Sequence, residues 1–203
     1  MTQPPRHLPA EQRRAATVAA LLALAAEENP ADITTTAIAR RMKLTQGALF
    51  KHFPTKAAMV QAVLTWVSEM LLKRVDAAIS SAQSPLDALE AVFETHMAFV
   101  MEHPGVPRML FSELQRKGNP VARRIASVLL QRYAERLSVL IKDGQTRGSI
   151  RPDTDVDAAA ALFLGTIQGL VVQLMVTRDV ESVRKVMGDV FRIYRRGIEG
   201  EEK

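Results

Sequence analysis

Helix-breaking residues divide this 203-residue chain into about nine helical segments, and no run alternates apolar and polar residues as a half-buried strand would. That punctuation predicts an all-α fold. Helix one is expected from about Pro9 to Glu28. Thr34 or Thr35 caps a short second helix ending near Met42, and Thr45 caps a third running through Lys51. Pro54-Thr55 opens a long fourth helix to about Ser81, and Ser84-Pro85 opens a fifth that stops before "HPGVP". A sixth covers about Pro107 to Gln115, and "KGNP" introduces a seventh from about Asn119 to Lys142. "GQTRGSIRPDTD" reads as a loop. The eighth helix is expected from about Asp155 to Thr177 and the ninth from about Val180 to Ile198.

Leu, Val and Ala dominate the composition, which suits helices. The chain has no cysteine, so a disulfide framework, thiolate chemistry and cysteine metal sites are excluded. The N-terminal run Ala15 to Ala26 follows basic residues, as in a targeting signal. Glu27-Glu28 succeeds it directly, and an Ala-rich amphipathic helix capped by Asn29-Pro30 is the better reading. Ala158 to Val176 is uncharged and close to the length of a membrane span. It carries Thr166, Gln168 and Gln173 and follows three aspartates, so a helix buried on all sides is expected, with no membrane partner.

The net charge is +5. Its placement is more informative than its size. Between Asp32 and Glu69 there is no acid, while Arg40, Arg41, Lys43, Lys51 and Lys56 all fall there. Solvated faces mix signs, so this stretch favours an anionic partner. The basic zone ends inside helix four. A small N-terminal module (residues 1–54) and a larger C-terminal one (55–203) are expected, joined through that helix.

Helices two, "TTTAIARRM", and three, "TQGALFKHF", are each about two turns long and are joined by Lys43-Leu44. Two short helices with such a turn make a helix-turn-helix, whose second member enters a DNA major groove. Ile38, Leu44, Leu49 and Phe53 have the spacing to face inward and lock the pair. Gly47 costs helix stability, about 1 kcal/mol relative to alanine. A close approach accounts for it, either to DNA or to helix one or two.

The stretch "ITTTAIARRMKLTQGALFKHFPTKAAMVQAVL", residues 33–64, resembles the DNA-binding region of the TetR family of bacterial regulators. The carrying pattern is Thr-Thr, Ile-Ala, then Thr-x-Gly-x-Leu-aromatic-x-His-Phe-x-x-Lys, and the helical layout extends it to the full length. The resemblance implies that Thr34 and Thr35 bond phosphate at the start of helix two, and that Thr45 caps helix three and touches phosphate. Gln46, Gly47 and Ala48 would face the groove. Gln46 is the best base reader, since glutamine bonds adenine in a bidentate manner. Lys51 would reach base or phosphate, Phe50 and His52 occupy the usual aromatic-x-His positions, and Lys56 would hold phosphate at the start of helix four. Three positions depart from the pattern. Phe50 stands where tyrosine is frequent, Lys43 replaces a frequent turn glycine and gains a backbone contact, and Ala25 replaces a frequent phenylalanine.

In the C-terminal module, Ala161, Gly165 and Gly169 form a stripe of small residues on helix eight. Helix nine places Val183, Val186, Val190, Ile193 and Tyr194 on one apolar side. Periodicity alone allows packing within the chain or between chains; the resemblance implies a four-helix homodimer interface built from helices eight and nine. Trp66, Met70, Phe93, His96, Met97, Val100, Met109, Phe111, Phe163 and Gln168 could line a cavity for a small hydrophobic effector, or form plain core. His96 and His103 share a face of helix five but are read as core or surface histidines, with no metal and no cofactor. Nothing resembles a nucleophile triad or a phosphate-binding glycine loop, so no enzyme activity is expected. The resemblance implies a cytoplasmic, ligand-responsive repressor binding a palindromic double-stranded DNA operator. "HPGVPRML" and the 33–56 stretch are also similar to the nucleoid-occlusion branch of the same family, which implies a DNA-bound adaptor with a protein partner.

Overall fold

A computed structural model of the chain describes residues 10–116 and 120–200. Among them there are nine helices: α1 Ala10–Glu27, α2 Thr35–Arg41, α3 Gln46–Phe50, α4 Lys56–Ser81, α5 Pro85–Glu102, α6 Gly105–Gln115, α7 Pro120–Thr146, α8 Val156–Thr177 and α9 Val180–Ile198. No strand occurs among the described residues, where one isolated antiparallel bridge joins Ile150 to Glu199. The starts expected at Pro9 and Asn119 fall outside the described residues.

Capping chemistry fixes most boundaries. The hydroxyls of Thr34, Thr45, Thr55 and Ser84 each accept a hydrogen bond from the backbone N–H three residues on, at 3.1–3.2 Å. The carboxylates of Asp155 and Asp179 do the same for α8 and α9, at 2.8 and 3.0 Å. Each cap satisfies a donor the helix cannot pair internally. The seventh helix runs four residues beyond the expected Lys142, through Gly144. A β-carbon at Gly144 would lie 2.6 Å from Ile150 Cδ1, so this glycine serves close packing rather than termination.

The helices form two compact units. The first is built from α1 to α3, α4 as far as Ser68, α6, and α7 as far as Ile125; the second from the rest of α4, α5, the rest of α7, α8 and α9. In the first unit, α6 returns to pack on α1, and the amino-terminal half of α4 supplies buried Met59, Val60, Val63 and Leu64.

The α1–α6 contact is close because Gly105 opens α6. A β-carbon there would overlap the Leu22 carbonyl oxygen and lie 3.1 Å from the Ala26 nitrogen. Arg108 then crosses the end of α1, donating to the carbonyls of Ala26 at 2.7 Å and Glu28 at 3.1 Å. These are carbonyls that a helix terminus leaves unpaired. The neighbours of Gly105 are backbone and cannot yield as a side-chain tip would. Gly105→Ala should therefore lower folding stability by roughly 1–3 kcal/mol, the usual cost of overpacking, read as a drop in the denaturant midpoint. An unchanged midpoint would mean that α6 stands off α1.

Candidate nucleic-acid interface

The helix-turn-helix is assembled from two caps and a strained turn. Thr34 and Thr45 are extended, and each side-chain oxygen accepts from a backbone amide of the helix it precedes. Accepting leaves each hydroxyl its own O–H to donate outward. Between the helices, Lys43 adopts φ +55°, the left-handed region, where a non-glycine residue costs about 1–2 kcal/mol. Its amide donates to Arg40 O at 3.0 Å and that of Leu44 to Ala39 O at 2.8 Å, closing the turn. Ile38, Leu49 and Phe53 are buried, as their spacing predicts, and Leu44 is half-buried. The guanidinium of Arg14, on α1, lies 5.3 Å from the Phe53 ring centroid.

The opposite side of α3 is exposed at Gln46, Gly47, Phe50 and Lys51, with Ala48 and His52 half-buried. No protein atom lies within 4 Å of where a Gly47 β-carbon would stand. Packing against α1 or α2 therefore does not account for this glycine; what remains is a bare, exposed helix surface. The side-chain amide nitrogen of Gln46 donates to Thr35 Oγ1 at 3.1 Å and to Thr36 Oγ1 at 2.6 Å. Thr36 was not among the residues singled out in the sequence, although its place in the Thr34–Thr36 run was the available signal.

The five cations of the basic zone divide. Arg41 forms a bidentate ion pair with Glu27, whose carboxyl the Arg41 hydrogen bond holds below its usual range. Lys56 turns inward: its ammonium donates to the Ala31 carbonyl at 3.3 Å, and burial, then the nearby Arg116 charge, pull its pKa down. One of its three donors thus pins the turn before α2 to the start of α4. Arg40, Lys43 and Lys51 stand exposed.

The expected pocket residues divide between the two units. In the first, Met109 is buried, Phe111 is half-buried, and Trp66 meets the His103 ring edge-on at 5.4 Å. In the second, Phe93, Met97, Val100 and Phe163 are buried and Met70 is half-buried. The Phe93 ring centroid lies 6.0 Å from that of Phe163 and 5.3 Å from that of Phe191, so these side chains form the aromatic contact of α5 with α8 and α9. His96 hydrogen-bonds Tyr133 through Nδ1 at 3.1 Å. Gln168 is exposed on α8, beside Gly165 and Gly169, and does not belong with the buried set.

The residues expected at a dimer interface divide too. Ala161, Gly165, Gly169, Val186 and Ile193 are exposed and Val190 is half-buried. Val183 and Tyr194 are buried in this chain's own core: the Tyr194 hydroxyl donates to Ala159 O at 3.2 Å, and its ring lies 5.4 Å from that of Phe163. The apolar arc of α9 is wide enough to face two partners, and these two residues lie on its inner half. Nor is α8 buried on all sides. Phe163, Ile167, Leu170 and Leu174 face inward, while Leu162 is 59% exposed and Val176 78%. By length and composition α8 could cross a membrane.

Among the described residues, no group of three or more His, Asp or Glu is placed to hold a metal ion. What the first unit presents is a short capped helix with a bare glycine, a polar amide, an exposed ring and flanking cations, which is the surface a helix-turn-helix lays in a major groove. This defines the class: a DNA-binding transcription regulator.

Residues 18–63 match the family described as "Bacterial regulatory proteins, tetR family", and residues 85–189 match "Tetracyclin repressor-like, C-terminal domain". The chain belongs to the TetR family. It is similar to the nucleoid occlusion factor SlmA of Vibrio cholerae serotype O1, with 26% identity over 146 residues, covering 72% of this chain and 74% of the relative. The ketosteroid transcriptional regulator KstR2 of Mycobacterium tuberculosis shares the fold, with a TM-score of 0.75, 23% identity and coverage of 93% of this chain and 96% of that one. So does the regulator FadR of Bacillus subtilis in complex with stearoyl-CoA, with a TM-score of 0.77, 18% identity and coverage of 91% and 98%.

Gly47→Ala should raise folding stability by about 1 kcal/mol, because nothing obstructs the added methyl and alanine is the better helix former. If the exposed side of α3 meets the groove, the same change should weaken DNA binding, because the methyl would stand on that side. Thermal unfolding and a duplex titration on the same sample separate the two effects, and unweakened binding would show that Gly47 faces away from DNA.

Burial lowers the pKa of His96 from 6.5 to about 4. The unfolded chain takes up that proton near its ordinary pKa, the folded chain only near 4. The stability contribution is complete above the unfolded value and is lost as the pH falls toward the folded one. From about pH 7 to about pH 4.5, wild type should lose on the order of 2 kcal/mol more than His96→Gln. Parallel pH profiles would contradict it.

Proposed function

We propose that the chain is a cytoplasmic, ligand-responsive transcriptional repressor that binds a palindromic operator as a homodimer. The observation that carries this reading is the exposed apolar side of α8 and α9. Ala161, Leu162, Gly165, Gly169, Val172 and Val176 on α8 are exposed, as are Val186 and Ile193 on α9, and a second copy would cover them. The small residues let helices approach closely. One recognition helix of five residues makes few base contacts, whereas a dimer presents two, reading half-sites one turn apart. The exposed half of α8 is then a subunit contact rather than a membrane face.

Effector control rests on two supports. A fold neighbour is a complex with stearoyl-CoA. In this chain, the second unit buries Phe93, Met97 and Phe163 and holds His96 hydrogen-bonded to Tyr133, residue types suited to a mostly hydrophobic ligand. Of the remaining expected pocket residues, Met70 belongs to the same unit. A ligand releases DNA only by preferring the DNA-incompetent state.

The likeness to a nucleoid occlusion factor supports a second reading, a DNA-bound adaptor that acts through a protein partner. Mapping occupied chromosomal sites separates the two. One or a few sites upstream of genes whose transcripts rise on deletion support the repressor; many scattered sites without transcript changes support the adaptor.

Ile193 is 71% exposed, so a charge there costs the isolated chain little. Ile193→Arg should nonetheless convert the dimer to a monomer in sedimentation, with helical content retained and operator affinity lowered at least tenfold, because the cation would be buried at the interface. A dimer that survives the change would place the interface elsewhere.

A further inference from the structure

We propose that Thr35 and Thr36 lock the amide of Gln46, so that the recognition helix offers the groove a carbonyl acceptor and no amide donor. The proposal rests on the reading of α3 as the DNA-reading helix and deepens it. The Gln46 side-chain nitrogen carries two hydrogens. One is donated to Thr35 Oγ1 at 3.1 Å and the other to Thr36 Oγ1 at 2.6 Å. Both acceptors sit in the first turn of α2, which the Thr34 cap fixes at its start and the burial of Ile38 and Ala39 fixes against the core. The amide is thus held across the turn by two points on a rigid element. Among the described residues, its Oε1 takes no hydrogen bond.

This arrangement changes what Gln46 can read. Bidentate recognition of adenine needs the amide nitrogen to donate to N7 while Oε1 accepts from the N6 amine. The lock removes the first half of that pair. A lone carbonyl acceptor matches either exocyclic amine of the major groove, adenine N6 or cytosine N4, and is repelled by guanine O6 and thymine O4. Gln46 therefore reads an amine rather than one base. Thr36 is a positioning residue for specificity: it does not read DNA itself but withholds the donor that would sharpen the choice.

The lock makes an unusual prediction, that removing a hydroxyl narrows specificity. Thr36→Val keeps the β-branched shape of an exposed residue and frees one amide hydrogen. Duplexes should be selected from a random-sequence library with wild type, Gln46→Ala and Thr36→Val. The position that Gln46→Ala randomises should hold adenine and cytosine within about threefold in wild type. It should favour adenine over cytosine by roughly tenfold in Thr36→Val, the effect of one added base-edge hydrogen bond. Substituting 7-deazaadenine there should change wild-type affinity by less than about twofold and lower that of Thr36→Val by about fivefold or more. Strict adenine in wild type with sensitivity to 7-deazaadenine would overturn the lock. So would guanine or thymine at that position, an identical preference in Thr36→Val, or no position randomised by Gln46→Ala. Failure of wild type to enrich any sequence would instead overturn the DNA-reading assignment of α3, and the lock with it.

Discussion

A helix of five residues cannot hold itself together. Forming its first turn fixes several residues for a single hydrogen bond, and α3 ends almost as soon as that cost is met. Its shape must therefore be imposed from outside. Thr45 pairs an otherwise unpaired amide, Leu49 and Phe53 anchor the buried side, and the Lys43 turn sets the angle to α2. The rest of the first unit supports that anchoring. Packing of α6 on α1 through Gly105, the Arg108 cap on α1 and the Lys56 tie to Ala31 all stiffen the platform against which α2 and α3 lie. A rigid platform suits recognition, because the ordering cost falls in folding rather than in binding.

The second unit meets a different constraint. Its eighth helix is largely apolar, with only Thr166, Gln168 and Gln173 polar along its uncharged length, and one chain covers only one side of it. The aromatic rings of Phe93, Phe163, Phe191 and Tyr194 close the inner side. The outer side, with its glycines and valines, remains open in the single chain. The ninth helix behaves alike, with Val183 and Tyr194 turned inward and Val186 and Ile193 outward. Residues of one apolar arc thus divide between the chain's own core and its exposed surface.

Much of this was legible in the sequence because capping is local. Thr34, Thr45, Ser84 and Asp155 announce helix starts through short-range hydrogen bonds, and the boundaries they imply hold to within a residue or two. The inward set Ile38, Leu49 and Phe53 was legible from spacing alone. Long-range contacts were not. That α6 packs on α1 depends on Gly105 fitting against the Leu22 backbone, which no local pattern encodes. Lys56 carries the charge expected of a phosphate ligand, but its contact with Ala31 lies 25 residues away. Periodicity assigned Val183 and Tyr194 to an apolar side without saying which half of that side the chain would keep for itself.

The central claim is that two copies of the capped α3, joined through the open sides of α8 and α9, read one duplex. Hydroxyl-radical footprinting of wild type on a selected duplex tests it most directly. The account predicts two protected patches on one face of the DNA, about 34–36 Å apart, appearing together as protein is added. A single protected patch occupied by a monomer would contradict it.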